Sequence, residues 1–195
     1  MKRVTLLYAI MATLLWSETV EDKFGQQVVS SFEASLQEAK TLRLPYTSQY
    51  DPKASIEILQ KMLEQKPDYY RGHYNLGLAY MQTNEYTKSK ASFDKALEIR
   101  EAQNIQDATI FNAAGWSAMR SQDYKRAEKL FLQGVAHKKL NSKNSNATLF
   151  ANLGLLYFYT QRFKEALKYL YIAHRDYGSM AAKSTIESIQ AMRKK

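Results

Sequence analysis

The chain has 195 residues, 45% of them hydrophobic, enough for one domain with a core of its own. Three prolines and seven glycines argue against a turn-rich β fold, and plentiful Ala, Leu, Lys, Gln and Glu make helix the default. The absence of cysteine excludes a disulfide framework, a thiolate nucleophile, a zinc-thiolate site and a lipidated cysteine.

The net charge of +9 is scattered, with tight groups only at Lys138-Lys139 and Arg193-Lys194-Lys195, as on solvated helix surfaces. At the N-terminus, Lys2 and Arg3 precede an uncharged run from Val4 to Trp16, followed by Ser17 and the polar ETVEDK. A positive start, a short apolar run and a small residue describe a secretory signal peptide over 1–17. The run is too short to span a bilayer comfortably. Export to the periplasm or cell envelope is therefore expected. The alternative is an inner-membrane anchor through residues 4–16, with Lys2 and Arg3 kept in the cytoplasm. The rest divides into an N-terminal helix and linker, 18–49, and a helical repeat domain, 50–195.

Val29, Phe32, Leu36 and Ala39 keep helical spacing and predict a helix over 27–43. After LRLPYTSQY, Asp51 and Pro52 start a second helix with the apolar stripe Ile56, Leu59 and Leu63, which Pro67 stops. Next comes a pattern that recurs. Gly77, Gly115 and Gly154 each sit inside a helical stretch, where glycine costs about 1 kcal/mol against alanine. Nine residues on stand Tyr86, Tyr124 and Phe163; twelve on, Ser89, Ala127 and Ala166. Sixteen on come Phe93, Phe131 and Leu170; nineteen on, Ala96, Gly134 and Ala173.

Each copy has the periodicity of two helices. In the first, Leu76, Ala79 and Tyr80 continue the stripe from Tyr74, and Ser89, Ala91, Phe93, Ala96 and Leu97 continue the one from Tyr86. Short polar breaks such as Gln82-Thr83-Asn84 separate the pairs and make them antiparallel neighbours. The glycine leaves room for its partner helix. Asp107 and Asn146, before Ala-Thr-Ile and Ala-Thr-Leu, are expected to cap the following helices. Ser179 is expected to cap a last helix through Gln190, with Ala182, Ile186 and Ile189 on one face and a polar outer face.

The pattern resembles the tetratricopeptide repeat. In the first copy the matching residues are Leu76, Gly77, Tyr80, Tyr86, Phe93 and Ala96; in the third, Leu153, Gly154, Tyr157, Phe163, Ala166 and Ala173. The middle copy is looser, with Ala114, Ala118 and Gly134 in place of leucine, tyrosine and alanine. The resemblance implies an all-α fold, an α-solenoid of antiparallel helix pairs. It would hold about three repeats, a degenerate N-terminal half-repeat in residues 51–69, and a C-terminal capping helix. The glycines stand 38 and 39 residues apart against a family period of 34. A second helix one turn longer, or a longer loop, is expected to absorb the difference.

No catalytic constellation appears. His73, His137 and His174 occupy unrelated phases without metal-binding partners, so no enzyme, metal or cofactor is expected. Asn146-Ala147-Thr148 matches a glycosylation sequon. In the family, the first helices of successive repeats line a groove that takes peptides. That implies a binding surface of Arg71, Tyr74, Asn75, Leu78 and Gln82 from the first copy. The second would give Asn112, Trp116, Met119 and Arg120; the third, Asn152, Leu155 and Tyr159. An asparagine from each copy would bond an extended backbone, and Trp116 and Tyr159 would be rigid anchors. Leu78, Trp116 and Leu155 share one phase, and packing into the core is the alternative for them. Some members hold a C-terminal carboxylate with lysine and arginine on these helices. Here Thr109, Ala113 and Thr148 lie near those places, against such a clamp.

The expected partner is a protein or peptide, with no small-molecule substrate, and membrane contact only through the N-terminus if it is uncleaved. The reading is a non-enzymatic scaffold or adaptor of the envelope. A basic helical-repeat protein that binds nucleic acid is the alternative, made less attractive by the export signal.

Overall fold

The computed structural model describes residues 31–192, all of whose regular structure is helical. The expected signal peptide over 1–17 and the predicted start of the first helix at 27 lie outside the described residues. The first helix, α1, covers 31–41. The others are α2 (Pro52–Gln65), α3 (Tyr70–Gln82), α4 (Tyr86–Ala102), α5 (Thr109–Arg120), α6 (Tyr124–Ala136), α7 (Lys143–Tyr159), α8 (Phe163–Arg175) and α9 (Met180–Met192). The pairs α3–α4, α5–α6 and α7–α8 are the three copies seen in the sequence, and α9 closes the end against α8 and α7.

The recurrent glycines sit where their two helices meet. A Cβ on Gly77 would lie 2.8 Å from the Phe93 ring, one on Gly115 2.6 Å from Phe131, and one on Gly154 2.6 Å from Leu170. The residue sixteen positions on is therefore the one each glycine admits. Phe93, Phe131 and Leu170 are fully buried as a result. The propensity penalty in the first helix is offset by packing in the second.

The N-terminal copy is a whole hairpin. The Ser55 hydroxyl donates to the Ala39 carbonyl at 2.8 Å, as the Ser89 hydroxyl donates to that of Gly77 at 2.9 Å. Ala39 and Ser55 thus take the places of Gly77 and Ser89, and α1 is the first helix that the half-repeat lacked. Its link to α2 is longer than the other turns. Leu36, Ala39, Leu59 and Met62 share a small core with Leu76 and Tyr80 of α3. Asp51 caps α2, accepting from the Lys53 and Ala54 amides at 3.0 Å. Met62 reaches further into the core than Leu63.

The spacing excess is absorbed in two ways. Helix α4 has 17 residues against 13 in α6. After α6, a 3-10 turn at Lys138–Leu140 leads to an α7 that starts one turn early. Ser142 caps that helix, accepting from the Ser145 amide at 3.1 Å. Asn146 is therefore not a cap. It lies buried inside α7, its amide donating to the Lys138 carbonyl at 3.0 Å and its oxygen accepting from Asn141 at 3.2 Å. The sequon asparagine is thus inaccessible in the folded chain. Asp107 does act at a helix start, accepting from the Thr109 amide at 2.8 Å. Ala91 points outward, and Ser92 takes the inward place. Ser179 caps α9 as expected, accepting from the Ala182 amide at 3.2 Å.

In the three glycine-bearing copies the turn within the repeat hinges on one left-handed residue: Asn84 (φ 61°), Gln122 (63°) and Gln161 (60°), all seven positions after the glycine. The next amide in each bonds back to the carbonyl five residues earlier, Glu85 to Tyr80, Asp123 to Ala118 and Arg162 to Tyr157, at 2.8–2.9 Å. These bonds satisfy helix-end carbonyls and reverse the chain sharply.

Candidate functional site

The first helices stand side by side, α3 against α5 and α5 against α7. Their shared face carries a trough of about 630 Å³. Of the predicted residues, Tyr74, Leu78, Asn112, Trp116 and Asn152 meet there. Tyr74, Leu78 and Trp116 are half-buried, each packed on the core along one side. Each lines the trough on one side and packs on the core on the other. The Asn152 amide donates to the Asn112 carbonyl oxygen at 2.9 Å. That pairing leaves an amide N–H on Asn112 and a carbonyl on Asn152 for a ligand.

A second trough, of about 800 Å³, adjoins the first through Tyr74 and Leu78 and reaches α1. It gathers Arg71 and Asn75. Asn75 does not offer its amide to a ligand. It is buried, accepting from Arg43 and donating to the Arg71 carbonyl, both at 2.7 Å.

The remaining predicted residues are elsewhere. Gln82 lines neither trough, because its amide is committed to the Arg43 carbonyl at 2.7 Å. Met119 is 7% exposed and belongs to the core. Arg120 lies at the far end of α5, its guanidinium 5.8 Å from the Tyr86 ring centre, beside the turn at Asn84. Leu155 packs on the core, and Tyr159, 61% exposed, rests edge-on against Phe158 beyond the trough.

In their stead the trough is lined by residues the repeat pattern did not nominate. Thr109 and Ala113 come from α5, Thr148 from the matching phase of α7, Asn144 and Ser145 from the extra turn of α7, and Asn141 from the residues before it. A helix start at Asn146, as the sequence suggests, leaves Asn141 to Ser145 outside the helix. The signal for the earlier start is Ser142, a residue type favoured at helix N-caps. No charged side chain lines this trough, a notable trait in a chain of net charge +9.

Burial raises the pKa of Tyr74, and Asp107 adds to the rise, so the phenol remains a neutral hydrogen-bonding group. Burial, reinforced by Asp107, which accepts the Tyr70 hydroxyl at 2.9 Å, does the same to Tyr70. Among the described residues no group of three or more acidic or histidine side chains is placed to hold a metal. None of the described helices is long and apolar enough to cross a membrane.

A tetratricopeptide repeat profile matches residues 70–102, and a second profile of that description matches 112–181, together just over half the chain. The chain belongs to the tetratricopeptide repeat family. The matched spans open at α3 and inside α5, so the family's first helices are those that carry the trough. Repeats of this family are protein-interaction elements, and the fold is that of an interaction scaffold. Among solved structures, Pseudomonas aeruginosa pilF aligns with a TM-score of 0.61 and 19% identity over 74% of this chain. The tetratricopeptide chain spans 62% of that protein's length. A MamA protein aligns at 0.60 with 19% identity, covering 77% of this chain and 75% of its own. MamA residues 41 to the end from Desulfovibrio magneticus RS-1 aligns at 0.58 with 15% identity, over 83% and 97%. At these identities the likeness is one of fold. A search of curated proteins finds no match.

Proposed function

We propose that the protein is a non-enzymatic scaffold of the cell envelope that holds an extended, mainly uncharged segment of a partner protein across α3, α5 and α7. The observation that carries this reading is the uncharged trough, with Trp116 and Leu78 as its apolar floor and the Asn112–Asn152 pair beside them. A peptide backbone needs donors and acceptors along its length, and side-chain amides and hydroxyls supply both without demanding a particular sequence. A nucleic-acid path would need lysine or arginine for its phosphates, and none lines this trough. The envelope assignment rests on Lys2-Arg3 and the apolar run Val4–Trp16.

Asn144 and Thr148 are exposed and line the trough, so the pair Asn144→Lys/Thr148→Lys blocks it without touching the core. Partner capture from an envelope fraction is expected to be lost in this variant and retained in Lys129→Gln on α6, with unchanged melting curves. Equal capture by both variants would remove the trough from the binding surface. N-terminal sequencing of the fractionated protein tests export; an intact Met1 in the cytosol would contradict it.

A further inference from the structure

Arg43 lies in the link between α1 and α2 and lines the second trough. One of its terminal nitrogens donates to Asn75 at 2.7 Å, while its Nε is buried without a hydrogen-bond partner. No carboxylate of the described residues lies within ion-pairing distance of it. A desolvated guanidinium stays charged, and leaving it without a counter-ion is costly. Asn75 holds the guanidinium at its head, and Gln82 anchors the backbone of the same residue by donating to its carbonyl.

The surroundings are cationic as well. Lys40 and Arg71 line the same trough. Arg71 meets Glu33 only at 3.8 Å, with both side chains more than half exposed, a weak attachment. The one acidic side chain in the lining, Asp107, is already engaged. It accepts from the Tyr70 hydroxyl at 2.9 Å, the Thr109 amide at 2.8 Å and the Thr109 hydroxyl at 2.6 Å. Three cations thus line this trough against one carboxylate that neutral donors already hold, an excess of positive charge suited to an anionic group of a ligand.

We propose that Arg43, with Lys40 and Arg71, forms a subsite for a carboxylate of the bound peptide, whose uncharged stretch continues into the neighbouring trough. This rests on the peptide-binding reading above and adds the chemistry of one end of the ligand. The subsite is built on the α1–α2 link and its neighbours, away from the neutral positions Thr109, Ala113 and Thr148. Arg43 makes the charge-assisted bond, and Asn75 positions it.

The test uses the full chain and defined probes. Acetate is titrated while the Arg43 Nε–H resonance is followed by NMR, against chloride at equal ionic strength. A saturable shift with acetate alone is expected. Binding is then measured for acetyl-Asn-Ala-Leu-Asn-Ala-Asp-amide, for its isostere ending in Asn-amide, and for acetyl-Asn-Ala-Leu-Asn-Ala with a free C-terminus. The Asp peptide or the free-terminus peptide is expected to bind about tenfold tighter than the neutral isostere, as for one charge-assisted bond. Whichever does so identifies the carboxylate as side chain or chain end. In Arg43→Gln the advantage disappears and the neutral isostere binds as before. Should that variant unfold, Lys40→Gln/Arg71→Gln, altered only at the rim, is expected to reduce the advantage. An advantage that survives these substitutions, no acetate shift, or saturation by inorganic phosphate well below acetate overturns the proposal. An acetate shift with no peptide binding leaves the carboxylate subsite standing and removes the peptide groove.

Discussion

At the scale of single residues, identical chemistry has opposite consequences in different surroundings. Gly115 faces the fully buried Phe131 ring, which has nowhere to retreat, so Gly115→Ala overpacks the helix contact. The expected loss is about 1–3 kcal/mol, a fall in melting temperature of roughly 2–10 °C. Gly72 is the contrast. Its added Cβ would meet Leu63 Cδ2 at 2.8 Å, the far end of a half-buried, flexible side chain. Gly72→Ala is expected to melt within about 2 °C of wild type, its gain in helix propensity offsetting the contact. Asp94 carries a pH dependence. Partial burial pushes its carboxyl up, but hydrogen bonds from Lys90 and Arg126 outweigh that and hold it below the ordinary value. A carboxylate depressed in the folded state contributes stability above its unfolded pKa and loses it as pH falls through the folded one. Thermal stability should therefore drop below about pH 4. Asp94→Asn is expected to flatten part of that drop in melting curves recorded across the range.

At the scale of elements, the turns show what a sequence withholds. The breaks Gln82-Thr83-Asn84, Ser121-Gln122-Asp123 and Thr160-Gln161-Arg162 read as turns because they are polar and short. Nothing in them announces that the last residue of the first break and the middle residues of the other two stand at positive φ. A left-handed glutamine costs about 1–2 kcal/mol that glycine avoids. Gln161→Gly is accordingly expected to raise stability by about 0.5–1 kcal/mol, readable as a shift in urea midpoint at constant slope. Asn84→Gly should gain less, because the Asn84 side chain accepts from the Tyr86 hydroxyl at 2.7 Å. The hairpins themselves were legible, since the contact between a glycine and the residue sixteen later is written in two letters. The start of α7 was not. Asn146-Ala-Thr-Leu imitates Asp107-Ala-Thr-Ile, yet Ser142 captures the helix one turn earlier and Asn146 is consumed by Lys138 and Asn141. The trough inherited that displacement, which brings Asn144 and Ser145 into it, while Tyr159 shares the repeat phase of Gln82 and Arg120 and lies outside it as they do. Arg43 was illegible for another reason: LRLPYTSQY has no period from which an inward direction can be read.

At the scale of the whole molecule, the order of packing sets what each end must do. The larger core spans α3 to α9, and a smaller one joins α1 and α2 to the outer side of α3. Ala182, Ile186 and Ile189 of α9 cover apolar surface of the preceding helix pair, while the opposite face is polar. Ending the chain after Gly178 should leave that surface open, as in repeat arrays stripped of a terminal cap. The expected result is self-association by sedimentation together with a lower, broader melting transition. A monomeric truncation with an unchanged melting curve would show that α9 is an appendage.

The uncharged trough has a further consequence for how a partner is let go. A surface without charge gathers no counterions, so nothing is released when it is covered, and its grip is indifferent to salt. The cationic end beside it is not. For a segment held as proposed across both troughs, rising ionic strength would loosen one end and leave the other seated, and detachment would be a peeling from α1 toward α7 rather than a single step.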